Sequence, residues 1–221
     1  FDLILPRRCH CCGSDLRDQE RGICSACSEG LPLTGYHKHR DNPMEQRLAG
    51  RTDFERATSY LFYSPDSVVA RLIHDFKYHG FQSLARDLGV LMGEDLKRSG
   101  WLEGIDYVMG VPLHWRRRMT RGYCQTHELA CGIGEVTGAK VSSDLKAFAG
   151  HRSQTRLSHE ERLKNVEGIF RLVHGDRYAG KTILLVDDVC TTGGTLSAAG
   201  RAIRAGCADC RIVILTLATI F

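Results

Sequence analysis

The 221 residues are 43% apolar and 25% charged, enough apolar content for a packed core and too short a chain for two full domains. A formal charge of +4 suits anionic ligands but falls short of the strongly basic balance that would itself demand nucleic acid. No apolar run approaches the roughly 20 residues of a membrane helix and no signal-peptide pattern opens the chain, so the reading is a protein of the reducing cytoplasm without membrane insertion.

Residues 1–50 hold five of the ten cysteines and little periodic apolar pattern, and are read as a Cys-rich zinc-binding region ahead of a second unit, 51–221. Cys9-His-Cys-Cys12 and Cys24-Ser-Ala-Cys27 form a C-x2-C…C-x2-C array with eleven residues between the pairs. Each pair can curl a knuckle round one edge of a tetrahedral Zn2+, so Cys9, Cys12, Cys24 and Cys27 are the expected ligands of a structural zinc. His10 or Cys11 could replace a neighbour. Four protein ligands would leave no open position for chemistry.

From Thr52 onward strand and helix patterns alternate. Residues 57–63 read as a short strand. Val69, Leu72, Ile73 and Phe76 make one helical face, and Leu84, Leu88, Leu91 and Met92 another. Residues 107–111 read as a buried strand halted at Pro112, and residues 125–136 as a helix. Ser158-His-Glu-Glu161 has the capping-box pattern of a helix start. Residues 169–173, 182–186 and 212–217 read as strands, and 196–205 as a helix with Gly206 as its stop. This alternation predicts an α/β fold, a mostly parallel sheet with helices on both faces.

One stretch carries the chemistry. In Ile183-Leu-Leu-Val-Asp-Asp-Val-Cys-Thr-Thr-Gly-Gly-Thr-Leu196 a buried strand runs into two acids, then a Thr/Gly turn, then a helix. In an open parallel sheet ligands bind beyond the carboxyl ends of strands. Gly193 and Gly194 allow close approach or positive φ, so amides from Thr192 to Thr195 can converge on one phosphate at the start of a helix. Two carboxylates beside a phosphate need hydroxyl protons to accept or a divalent cation nearby. A ribose 5-phosphate meets both demands. The letters G-x-x-x-x-G-K-[ST] occur at Gly175-Asp-Arg-Tyr-Ala-Gly-Lys-Thr182, but they run into the strand read at 182–186 and not into a helix, so they make no P-loop; G-x-G-x-x-G is not present, which disfavours a dinucleotide site. Cys190 borders the turn and could be an accessible thiol, without a base to activate it. Cys207 and Cys210 read as packing cysteines.

VDDVCTTGGT resembles the binding motif for 5-phosphoribosyl-1-pyrophosphate (PRPP) of type I phosphoribosyltransferases. The resemblance gives Asp187 and Asp188 the ribose hydroxyls, and Thr191, Thr192, Gly193, Gly194 and Thr195 the 5-phosphate. It also implies Mg2+, carried mainly on PRPP. Val111-Pro-Leu-His114, Arg121-Gly-Tyr-Cys-Gln125, Gln154-Thr-Arg-Leu-Ser158, Glu161-Arg-Leu-Lys-Asn-Val-Glu-Gly-Ile-Phe170 and Phe76-Lys-Tyr-His-Gly80 follow in an order similar to the ComF-type competence proteins. That family is a phosphoribosyltransferase-like branch implicated in DNA uptake during natural transformation. Cys124 stands where the family usually has Asn, so loop order or ligand contact can differ here.

A pyrophosphate leaving group needs amides and cations. The candidates are the strand end at Pro112 and Leu113, with Lys77, Arg116 and Arg121. Residues 148–165 read as a loop able to close over a bound sugar, with Arg152, Gln154 and Arg162 reaching the ligand. Two functions follow. One is a PRPP·Mg2+-binding phosphoribosyltransferase-like protein, with catalysis and acceptor open. The other is a non-catalytic module that binds single-stranded DNA, a competence helicase or a recombination protein through Trp115 and its neighbouring arginines, and uses the phosphate pocket as a sensor.

Overall fold

The computed structural model describes residues 7–113, 122–148 and 169–220. Five strands form one wholly parallel sheet: β1 (Arg56–Phe62), β2 (Tyr107–Gly110), β3 (Lys140–Ser142), β6 (Thr182–Cys190) and β7 (Arg211–Thr219), in the order β1-β7-β6-β2-β3. The other two strands, β4 (Leu145–Ala147) and β5 (Phe170–Leu172), pair antiparallel in a separate ladder. The expected strand at 169–173 therefore exists, but outside the parallel sheet.

The central strands β6 and β7 are buried on both faces, which is why they read as unbroken runs of Ile, Leu and Val. Leu184 and Val186 point into one core, and Ile183 and Leu185 into the other. On the first face lie α3 (Val68–Tyr78), α4 (Gln82–Arg98) and α5 (Gln125–Thr137). The stripe Val69, Leu72, Ile73 and Phe76 is buried, and Ser67 starts α3 by accepting the amide of Ala70. On the second face lie α2 (Pro43–Leu48) and α6 (Gly194–Gly206), with Met44, Leu48, Leu196, Ala199 and Ile203 in the core. Helices thus cover both faces, as the sequence implied.

The short helix α1 (Ser25–Glu29) follows the second cysteine pair. Cys9, Ile23, Cys24 and Leu31 pack into the first core beside Leu72, Leu84 and Leu88. Asn42 caps α2 by accepting the amides of Met44 and Glu45, and its own side-chain amide donates to the carbonyl of Ala57. The segment before β1 is tied to that strand as well, where the amide of Thr34 donates to the Tyr60 carbonyl and that of Phe62 to the Pro32 carbonyl.

Most element ends shift by one or two residues from the sequence reading, and two differences matter here. Strand β6 does not stop at Val186. It runs through both acids to Cys190, because β7 continues beside it and pairs Thr216 with Asp187 and Thr219 with Cys190. Gly206 is the last residue of α6 and does not adopt positive φ. It is small because a Cβ there would lie 2.7 Å from Cβ of Leu172, so the glycine lets α6 close onto β5.

Candidate functional site

At the carboxyl edge of the parallel sheet β2 ends at Gly110, opposite Val186, and its neighbour β6 continues beyond it to Cys190. Asp187 and Asp188 lie in the extended end of β6, three and two residues before its last residue, Cys190. Asp188 is 8% exposed, and two other side chains and a backbone amide fix its carboxylate. The Lys77 ammonium at the end of α3 lies 2.8 Å from Asp188 Oδ2. Gln125 Nε2, at the first residue of α5, donates to the same oxygen at 2.9 Å. Asp188 Oδ1 accepts the amide of Val189, and Asp187 Oδ1 accepts the amide of Asp188. Burial, and then the neighbouring Asp188 carboxylate, push the Asp187 carboxyl well above the usual range. A hydroxyl donor or a cation arriving there would relieve that strain on the charged form.

The start of α5 is built for close contact. A Cβ at Gly110 would lie 2.5 Å from the backbone of Thr126, so the glycine lets the helix start sit directly on the end of β2. The Thr126 hydroxyl donates to the Val111 carbonyl at 2.6 Å, and Gln125 is buried. Tyr123, just ahead, donates its hydroxyl to the Phe76 carbonyl on α3. Lys77, Gln125 and Asp188 are thereby locked from three elements. Pro112 and Leu113 continue from β2, half-exposed beside this cluster.

The turn after β6 contrasts with it. Thr191, Thr192, Gly194 and Thr195 are exposed. Gly193 takes φ 79°, a left-handed conformation, immediately before α6. It is also packed underneath, where an added Cβ would meet Leu48 Cδ2 at 2.9 Å. The Arg51 guanidinium donates to the Thr192 carbonyl at 2.7 Å and pins the turn from outside. Arg47 donates to the Thr219 hydroxyl and the Ile220 carbonyl. The arrangement leaves a helix start, with its free amides, facing outward beside two carboxylates and a lysine.

Cys190 is 2% exposed and its thiol is raised by burial, so it is not an accessible thiol as its place beside the turn suggested. Cys207 and Cys210 are buried. Arg116, Arg121, Arg152, Gln154 and Arg162, with Trp115 and the capping-box segment, lie outside the described residues. Three residues that matter locally escaped sequence reasoning: Gln125, Arg47 and Arg51. Gln125 stood within the quoted RGYCQ stretch, but an uncharged side chain at a helix start carries no chemical signal of its own. Arg47 lies at the end of the Cys-rich region and Arg51 just past it, away from the acid pair in sequence.

The Sγ atoms of Cys9, Cys12, Cys24 and Cys27 all lie within 4.8 Å of one another. Cys12 and Cys24 are 3.8 Å apart, about the edge of a tetrahedron with Zn–S bonds near 2.3 Å. The amides of Cys11 and Cys24 donate to Cys9 Sγ at 3.4 and 3.3 Å, as suits a thiolate. The donor set is all sulfur and fits a metal such as Zn2+. Cys11 and His10 stand outside this quartet. The helices of the described residues include none long and apolar enough to cross a membrane.

Residues 130–219 match the family model described as the phosphoribosyl transferase domain. Among solved structures the chain is similar to one entitled structure of the allosteric regulatory enzyme of purine biosynthesis, at 19% identity and a TM-score of 0.42 over 64% of this chain and 29% of the other. It is also similar to a glutamine PRPP amidotransferase from B. subtilis in complex with ADP and GMP, at 19% identity and a TM-score of 0.43 over 64% of this chain and 30% of the other. The chain thus accounts for under a third of the length of either structure. No curated protein matches it in sequence. The match over residues 130–219, from α5 through the acid pair and its turn to the end of β7, makes this a phosphoribosyltransferase-type α/β fold.

Proposed function

We propose that the chain binds PRPP with Mg2+ at the carboxyl edge of its sheet, as a phosphoribosyltransferase-like protein of the ComF type acting in DNA uptake. The observation that carries this reading is Asp188, held between Lys77 and Gln125 at the foot of an outward-facing Thr/Gly turn that opens α6. The amides and hydroxyls of Thr191 to Thr195 receive the 5-phosphate. Asp187 and Asp188 accept the ribose hydroxyl protons. Lys77, reaching the acids from α3, also stands where a pyrophosphate would need a cation, and Pro112 and Leu113 offer backbone to it. Arg116 and Arg121 are the further cations this reading assigns to the pyrophosphate, and Arg152, Gln154 and Arg162 the further contacts it assigns to the sugar.

Mg2+ is a hard cation that takes oxygen ligands, and the raised carboxyl of Asp187 is a group whose charged form such a cation favours. When bound with PRPP it neutralises phosphate charge. The protein residues orient the ribose, hold the phosphate and keep both carboxylates aligned. Transfer would break the bond from ribose C1 to pyrophosphate as an acceptor nucleophile attacks C1. The Cys9, Cys12, Cys24 and Cys27 quartet holds a structural Zn2+. Single-stranded DNA and a competence helicase or recombination protein are the partners this reading implies, in the cytoplasm.

Calorimetric titration of PRPP with Mg2+ tests the pocket. The wild type should bind, and an Asp187→Asn/Asp188→Asn variant should lose affinity by at least about 100-fold, since two charged contacts to the ligand go. The same variant should lower transformation frequency in a naturally competent host. A folded wild type that ignores PRPP would overturn the pocket and leave the phosphate-sensing, DNA-binding module as the better account.

A further inference from the structure

The last turn of α3 points two ways. Lys77 faces the acid pair, while Asp75 faces His10 of the cysteine knuckle and gathers His74 and His79 around it. One donor atom from each of these three lies within 4.8 Å of the others. The His79 ring stands 3.1 Å from Asp75 Oδ1 through Nδ1, and the His74 and His79 rings meet edge to face with centroids 4.9 Å apart. A fourth imidazole arrives from the knuckle itself. His10, between two of the cysteines, places Nδ1 at 3.8 Å from Asp75 Oδ2, with its ring steadied against Phe81.

We propose that His74, Asp75 and His79 form a second metal site, for a borderline divalent transition ion such as Zn2+, separate from the cysteine quartet. Imidazole nitrogen and carboxylate oxygen are the donors that Zn2+, Co2+ and Ni2+ accept, at about 2.0–2.2 Å for zinc. His74 and His79 are exposed, so their side chains can rotate to set all three donors at that distance from one ion. The site lies at the carboxyl end of a helix, where the helix dipole favours a cation. His10 can serve as a further ligand or hold Asp75 in place from the second layer. With three ligands from α3 and its cap, the ion keeps an exchangeable position for water, unlike the closed sulfur site. Bound there, it ties the knuckle to the helix that carries Lys77.

The test is a Zn2+ titration of untagged full-length protein that already carries its cysteine-bound metal, followed by calorimetry and by metal analysis after desalting. The wild type should take up one further equivalent. A His74→Ala/His79→Ala variant, which replaces only exposed residues, should lose that equivalent while keeping the cysteine-bound one and the wild-type melting temperature. Co2+ added to the zinc-loaded wild type should give weak d–d absorption without thiolate charge-transfer bands. Absence of a second equivalent, its persistence in the double variant, or thiolate bands for the second ion would each overturn the proposal.

Discussion

Two helices begin at the carboxyl edge of the sheet, and they begin in opposite ways. The first turn of α5 is closed: Gln125 and Thr126 are buried, their polar atoms consumed by Asp188 and the Val111 carbonyl. The turn into α6 is open: Thr191, Thr192, Gly194 and Thr195 face solvent, and only Gly193 is sealed beneath. Both starts carry the same partial positive charge. One is committed to holding a carboxylate of the protein in place, and the other is left for an anion from outside. A binding site needs both, since an open phosphate cradle has no precise geometry unless the groups beside it are fixed.

The comparison breaks most severely at Gly193. Replacing it with Ala forces a side chain into the left-handed region, at about 1–2 kcal/mol, and drives a Cβ toward the buried Leu48 methyl. A total of roughly 2–3 kcal/mol should lower the melting temperature by about 5–10 °C for a chain this size. Calorimetry should also show PRPP·Mg2+ affinity reduced by more than about tenfold, because the amides after Gly193 no longer converge. A variant that melts lower yet binds as the wild type does would separate the turn from ligand binding.

Gln125→Ala probes the closed start. It removes one of the two partners of Asp188 Oδ2 and leaves Lys77 as the side chain that holds that oxygen, beside the Val189 amide on Oδ1. A hydrogen bond to a charged group is worth about 1.5–3 kcal/mol. Part of that should appear as lost stability and part as roughly tenfold weaker PRPP binding. Gln125→Glu should be worse than Ala for binding, since it sets a third carboxylate against the pair.

The contrast also shows which parts of the molecule a sequence displays. Strands buried on both faces must be continuously apolar, so β6 and β7 were visible, and the acid pair with its Thr/Gly turn was visible because carboxylates ending an apolar run are costly without a purpose. The extent of β6 past the acids was not visible, since it depends on Thr216 to Thr219 of a distant strand lying alongside. Nor was the separate β4–β5 ladder, whose strands are three residues each and draw their pairing from each other. The open start of α6 announced itself through Thr and Gly. The closed start of α5 did not, because Gln125 and Thr126 have chemical meaning only once Asp188 and Val111 are beside them.

The smallest effect sharpens the same comparison from the side of stability. Cys124 is the residue that caps α5, with extended backbone at φ −107° and ψ 106°, and its side chain makes no capping hydrogen bond. Its thiol instead lies 3.1 Å from the Thr126 hydroxyl. An oxygen acceptor at this position can take the amide two or three residues on, a gain of about 0.5–1 kcal/mol. Cys124→Asn should therefore raise the melting temperature by roughly 1–4 °C and leave PRPP affinity within about twofold, because the helix start it reinforces is already fixed by Gln125 and Thr126. A large gain in affinity would instead mean that the closed start is looser than its hydrogen bonds imply, and that order at α5 limits how well Asp188 is presented.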